Sequence, residues 1–229
     1  MRCCEQIKVN LGYMGQKICM VGIASGLALG TLGYTHCCIE DVGILRYIPG
    51  ITIISPADSL ETVKALEHAV KYDKPTYIRL TGSANNPMVY KKDYDFEIGK
   101  SITLKEGKDI SIFSSGSMVY KSLEAAKILE SKNISTKVVN MHTIKPLDKE
   151  AVLKACESKL IVSIEEHNIV GGLGSAIAEF KSSLKKTPRQ LFLGIRDTYS
   201  KGGSYKFLLE KNRLESEKIV EDILKEFNK

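Results

Sequence analysis

Between Gly30 and Asp58 the sequence reads GTLGYTHCCIEDVGILRYIPGITIISPAD, with a histidine, an acidic pair and an arginine set among glycines. His36 lies in a glycine-rich loop, where few neighbours crowd a side chain and it can reach a ligand. Histidine is the residue type best suited to moving a proton or donating a hydrogen bond near neutral pH. Taken alone, a loop histidine is equally a surface residue or a turn partner. The next residues, Cys37 and Cys38, belong to no C-x-x-C pair and read as small packing residues rather than reactive thiols. Arg79 sits inside the run TYIRL, where a guanidinium either grips an anionic substrate or closes a structural ion pair. His167 follows Glu165-Glu166, and Gly171-Gly172-Leu173-Gly174 just beyond it opens a helix after a strand. Such a turn can cradle a phosphate or let a helix pack closely, and the packing reading is preferred.

These residues need elements to hold them. The apolar run Ile18 to Leu32 is shorter than the roughly 20 residues that cross a bilayer and is broken by Gly22, Gly26 and Gly30, so it is expected to be a buried strand followed by a glycine-rich loop. Ile51–Ile54 reads as a strand. Ser55-Pro56-Ala57-Asp58 then supplies a turn and an N-cap for a helix running to about Tyr72. Thr76–Leu80 is another strand, and Thr81 to Pro87 is loop by composition. The polar stretch Met88 to Lys108 marks a boundary: residues 1–90 form one unit, 91–108 a linker with room for a short hairpin, and 109–229 a second unit. There the expected order is strand Ile110–Ser114, helix Val119–Lys132, strand Thr136–Asn140, a helix from Asp148, strand Leu160–Glu165, a helix from Gly174, strand Gln190–Ile195 and a final amphipathic helix. That last helix carries Ile219, Val220, Ile223, Leu224 and Phe227 on one stripe. Alternating strands and helices imply an α/β protein with two tandem open, mainly parallel sheets flanked by helices.

The 229 residues are 43% hydrophobic and 26% charged, an ordinary globular balance that excludes a disordered tail or a coiled coil as the main structure. Lys and Arg exceed Asp and Glu by 33 to 27, but the excess is scattered and Trp is absent. No basic stripe interleaves with aromatics, so neither a nucleic acid nor a membrane is an expected partner. The six cysteines show neither zinc spacing nor a disulfide framework, and a reducing cytoplasm is expected.

Several separate motifs resemble the transketolase family. Gly33-Tyr34-Thr35-His36, Glu40-Asp41, Leu45-Arg46, Pro49 and Pro56-Ala57-Asp58 are similar in order to its pyrimidine-binding domain. Ser115-Gly116-Ser117, Thr143-Ile144-Lys145-Pro146-Leu147-Asp148, Glu165-Glu166-His167-Asn168, Gly171-Gly172-Leu173-Gly174-Ser175 and Gly202-Gly203-Ser204 are similar to its C-terminal domain. The resemblance spans nearly the whole chain. It implies thiamine diphosphate with Mg²⁺ as cofactor and transfer of a two-carbon ketol unit from a ketose to an aldose, the cofactor carrying the difficult chemistry. His36 matches the family's loop histidine and is implied to be catalytic and in contact with the sugar substrate. Arg79 and His167 are implied as further substrate contacts.

The departures are informative too. In the family, a glutamate that hydrogen-bonds the aminopyrimidine and an aromatic residue that stacks on it precede the position matching Met1. Glu5 matches instead a later Tyr-Glu-Gln-Ile-Arg helix. No Gly-Asp-Gly run for the diphosphate and metal is present, so no metal ligand and no cofactor-binding residue is assigned in this chain. Leu32 and Gly82 stand where sugar-phosphate transketolases have an aspartate and an arginine. The implied arrangement is a chain inactive alone, completed by an N-terminal subunit bearing the diphosphate-binding domain, in a homo- or hetero-oligomer with Ile18 to Leu32 as interface. The alternatives are a deoxyxylulose-phosphate synthase-like or 2-oxoacid dehydrogenase β-like subunit, a non-catalytic assembly subunit, or a gene fragment in which Met1 is internal. Thr35-His36 with Glu40-Asp41 favours transketolase over the dehydrogenase.

Overall fold

A computed structural model describes residues 2–82, 86–199 and 201–229, so residues 83–85 of the expected loop lie outside it. The chain opens with α1 (Cys4–Gln6) and a π-helical run, Ile7–Tyr13, followed by β1 (Cys19–Ser25), α2 (Asp41–Arg46), β2 (Thr52–Ile54), α3 (Ser59–Lys71) and β3 (Thr76–Thr81). The three strands are parallel in the order β1, β3, β2. Asp58 caps α3, its carboxylate accepting the Glu61 N–H at 2.9 Å, and Glu61 reaches back to accept the Ala57 N–H at 2.7 Å.

The second unit contains β4 (Ile102–Lys105), β5 (Ile110–Ser114), α4 (Met118–Glu130), β6 (Thr136–Asn140), β7 (Thr143–Lys145), α5 (Lys149–Ala155), β8 (Leu160–Asn168), α6 (Leu173–Lys181), β9 (Arg189–Ile195), α7 (Tyr205–Lys211) and α8 (Ser216–Phe227). Its sheet runs β4-β6-β5-β8-β9, parallel except for β4. Both faces are covered. α4, α7 and α8 pack Met118, Leu129, Leu208 and Ile219 on Ile110, Ile112 and Val162, while α5 and α6 pack Val152, Leu173 and Ile177 on Phe113 and Ile161. Every residue of β5 is buried, as expected of a central parallel strand.

Three local expectations need correction. β1 is not buried. It is the outer strand of its sheet, hydrogen-bonded to β3 alone among the described residues, and Ile23 is 77% exposed, with Val21 and Ile18 also open. Within the stretch read as linker, Ile102–Lys105 forms an edge strand on β6, because an antiparallel edge needs only a few half-buried residues. And β7, three residues from the second unit's sequence, crosses to pair antiparallel with β2. The two sheets are therefore stitched together by chain that leaves one and returns to the other.

Candidate active site

The loop carrying His36 is closed at its neck by an antiparallel bridge, Gly26 N–H to Cys38 O at 2.7 Å and Cys38 N–H to Gly26 O at 3.1 Å. On either side of the neck, Leu27, Cys37 and Ile39 are buried in the hydrophobic core of the second unit, with Ile112, Ile195 and Ile219. These apolar anchors hold the ends of the loop and leave His36 exposed at its far side, with the Thr35 hydroxyl 3.1 Å from Nδ1. The Gly202-Gly203-Ser204 turn backs the loop. Gly203 N–H donates to Gly30 O at 2.9 Å, and a side chain at Gly202 would run into Gly30 O and Gly33. Tyr34 meets Tyr199 edge-on at 5.8 Å, and the Tyr199 hydroxyl donates to Glu40 at 3.2 Å.

Arg79 and His167 do not join His36 at this surface. Arg79 is 3% exposed. Its Nε donates to Asp41 at 2.8 Å and its Nη2 donates to the carbonyls of Cys38 and Glu166. Burial pushes the Asp41 carboxyl up, but the Arg79 guanidinium and hydrogen bonds from Arg79 and Tyr77 more than offset this and hold it below the usual carboxylate range. His167, 1% exposed, donates from Nδ1 to Asn168 O at 2.7 Å and accepts the Gly43 N–H at Nε2 at 3.3 Å. Both ring nitrogens are engaged in a neutral imidazole, and burial, reinforced by the Arg79 charge, lowers its pKa to about 4. Both residues are buried at the junction of the two units, where a cation and an imidazole inside the fold take protein partners.

The Gly171–Gly174 turn is also occupied from within. Glu165 accepts the N–H groups of Leu173 at 2.7 Å and Gly174 at 2.9 Å, filling the first turn of α6 where an external anion would sit. Burial raises its pKa to about 7, with those two N–H groups opposing the shift. A side chain at Gly172 would collide with this carboxylate and with His167. Arg46 donates to Gly171 O at 2.7 Å and Gly172 O at 3.2 Å, which docks α2 on the turn. Cys37 is buried as expected, and burial pushes the Cys38 thiol up to about 11, away from the range of a reactive thiolate.

Among the described residues no group of three or more His, Cys, Asp and Glu side chains is placed to hold a metal ion. The acidic groups nearest the His36 loop already have protein partners. The residues here therefore do not by themselves fit the diphosphate and Mg²⁺ end of thiamine diphosphate. Sequence reasoning also missed a residue: Glu166, within a motif it singled out, is buried and faces the loop. Its only sequence signal is a second carboxylate at the end of an apolar strand. No described helix is long and apolar enough to cross a membrane.

Comparison with known proteins places these features in a family. The profile of the transketolase pyrimidine-binding domain matches residues 1–86, and that of the transketolase C-terminal domain matches residues 99–219. The chain is 39% identical over 180 residues, 78% of its length, to an apulose-4-phosphate transketolase subunit of Phocaeicola vulgatus, of which it covers 57%. It is 37% identical over 220 residues, 96% of its length, to a 6-deoxy-6-sulfo-D-fructose transketolase subunit of Clostridium sp., of which it covers 68%. A solved split-gene transketolase, described as an inactive β4 tetramer, superposes with a TM-score of 0.88 at 33% identity, over 99% of this chain and 72% of that one. With both domain profiles matched in order and the fold shared throughout, the chain belongs to the transketolase family.

Proposed function

We propose that this chain is the pyrimidine-binding and C-terminal section of a thiamine-diphosphate-dependent transketolase, working with an N-terminal subunit that brings the diphosphate-binding domain. Together they transfer a two-carbon ketol unit from a ketose to an aldose in the cytoplasm. The observation that carries this reading is the pairing of the two matched domains with an exposed His36 on a loop whose ends are buried. A histidine so placed can donate a hydrogen bond to a sugar oxygen and pass a proton, while the fold around it stays fixed. Thiamine diphosphate, when bound, supplies the carbanion chemistry of the transfer. The metal and diphosphate are assigned to the partner. Arg79 and His167 join the two units and set the orientation of the segment around Cys38 rather than touch the sugar.

Oligomerisation fits the same reading. Ile18, Val21, Ile23, Leu29 and Leu32 are exposed along β1 and the start of the loop, an apolar strip on a sheet edge with no partner strand among the described residues. Calorimetric titration of thiamine diphosphate with Mg²⁺ tests the assembly. Binding is expected in the mixture with the N-terminal subunit and not by this chain alone. Robust ketol transfer by the chain alone, given the cofactor and Mg²⁺, overturns it.

A further inference from the structure

The His36 loop is tethered on both of its legs by two residues at the end of β8, a strand of the other unit. On the leading leg, Leu27 N–H donates to Glu166 Oε1 at 2.7 Å. On the trailing leg, Asn168 N–H donates to Ile39 O at 2.9 Å. The Glu166 carboxylate is itself fixed in place, because its other oxygen accepts the hydroxyl of Ser117, at the start of α4, and that of Tyr205, at the start of α7, the latter at 2.7 Å. Gly26, just before the tethered residue, has φ +76°, and a side chain there would run into the Glu166 carboxylate. The carboxylate is 1% exposed, so its bonds do not compete with water.

We propose that Glu166 is a positioning residue for His36. It reads the placement of α4 and α7 through Ser117 and Tyr205 and sets, through the Leu27 amide, where the loop leaves the fold. This rests on the reading of His36 as the residue that meets the substrate. The C-terminal domain then has a definite part in the site: it holds the loop that carries His36. The apolar anchors Leu27, Cys37 and Ile39 supply the burial, which is non-directional, and the Glu166 carboxylate supplies the direction.

The test compares Glu166→Leu with Glu166→Gln in the full chain, by amide hydrogen exchange and the imidazole signal of His36. Leucine fills the space and removes the acceptor, whereas the glutamine oxygen still accepts the Leu27 N–H. In Glu166→Leu the amides of residues 26–38 are expected to exchange about tenfold faster, those of β5 and β6 unchanged, and the His36 signal to shift. Glu166→Gln is expected to stay within about threefold of the parent. If Glu166→Leu leaves the loop and the His36 signal as they were, or loosens β5 and β6 as much as the loop, the proposal falls. Should Glu166→Leu not fold, Tyr205→Phe serves in its place, with faster loop exchange expected and an unchanged loop overturning the idea. Turnover of His36→Ala in the mixture with the N-terminal subunit separates the two readings. A loop freed in Glu166→Leu but turnover indifferent to His36 keeps the tether and removes the role of His36.

Discussion

Two glycine-rich turns follow strands in this molecule, and they are put to opposite uses. The turn at Gly171–Gly174 is closed by the chain's own Glu165, which takes the amides at the start of α6, and by Arg46, which takes two of its carbonyls. The loop from Gly26 to Cys38 is closed at its neck and backed by the Gly203 turn, and it still offers His36 outward. Glycine spacing alone leaves the first open to either an anion or close packing, the packing reading being preferred, and does not say what the second holds. What separates them is where a β8 carboxylate lands: Glu165 takes two successive amides at the start of α6 and fills the turn, whereas Glu166 takes the Leu27 amide beside the neck and leaves the far side of the loop open.

The sharpest way to break this contrast is at the exposed residue. His36→Ala should lower ketol transfer by the assembled enzyme on the order of 10²-fold, the range of a positioned proton-transfer group, with the melting temperature of the chain unchanged. Equal turnover would make the open loop as inert as the closed turn. At the closed turn, the effect is on stability and depends on pH. The Glu165 pKa is raised in the fold, to about 7, above its ordinary value of 4.5, so its contribution is fully present below about pH 4.5 and is lost as pH rises through 7. Against Glu165→Gln, the parent protein should therefore lose on the order of 3 kcal/mol between those limits, followed by denaturant unfolding at several pH values. His142 and His167, both lowered to about 4, act in the opposite sense in both proteins, removing stability as pH falls from 6.5 toward 4. A flat difference between the two proteins would mean that Glu165 stays ionised throughout.

Two glycine substitutions then sharpen the comparison at smaller scale. Gly172→Ala puts a methyl group into the Glu165 carboxylate and His167 and should cost about 2–3 kcal/mol. Gly33→Ala, in the open loop, meets nothing within 4 Å, so only its backbone conformation, φ +84° with ψ 175°, opposes the change, at about 1–2 kcal/mol. Thermal melts of the pair should keep this order, and the reverse would show that the loop is packed more tightly than the turn.

Much of the fold is legible in the sequence because its central strands are short runs of β-branched residues bounded by turn signals. Ile110–Ser114 and Thr136–Asn140 can be read to the residue. Thr143–Lys145 cannot, since three residues ending before a proline show no period, and pairing with β2 decides their state. The same holds at the site. His36 stands in a loop whose composition announces it. Arg79 reads as a substrate contact because its partner, Asp41, is 38 residues away and the sequence does not show that both are buried. Glu166 escapes notice for a similar reason, as the amide it holds belongs to Leu27, 139 residues earlier. A buried charge is explained by its partner, and here the partners lie far off in the sequence, for Glu166 in the other unit.

The anchoring of the His36 loop also orders events during synthesis. Leu27, Cys37 and Ile39 share one hydrophobic core with Ile195, Ile219 and Ile223, residues that leave the ribosome far later in the chain. Until the second unit's strands and its last helix emerge, the core that buries these three anchors is incomplete. A chain stopped before α8 would hold every side chain of the exposed loop and lack part of the core that anchors its ends.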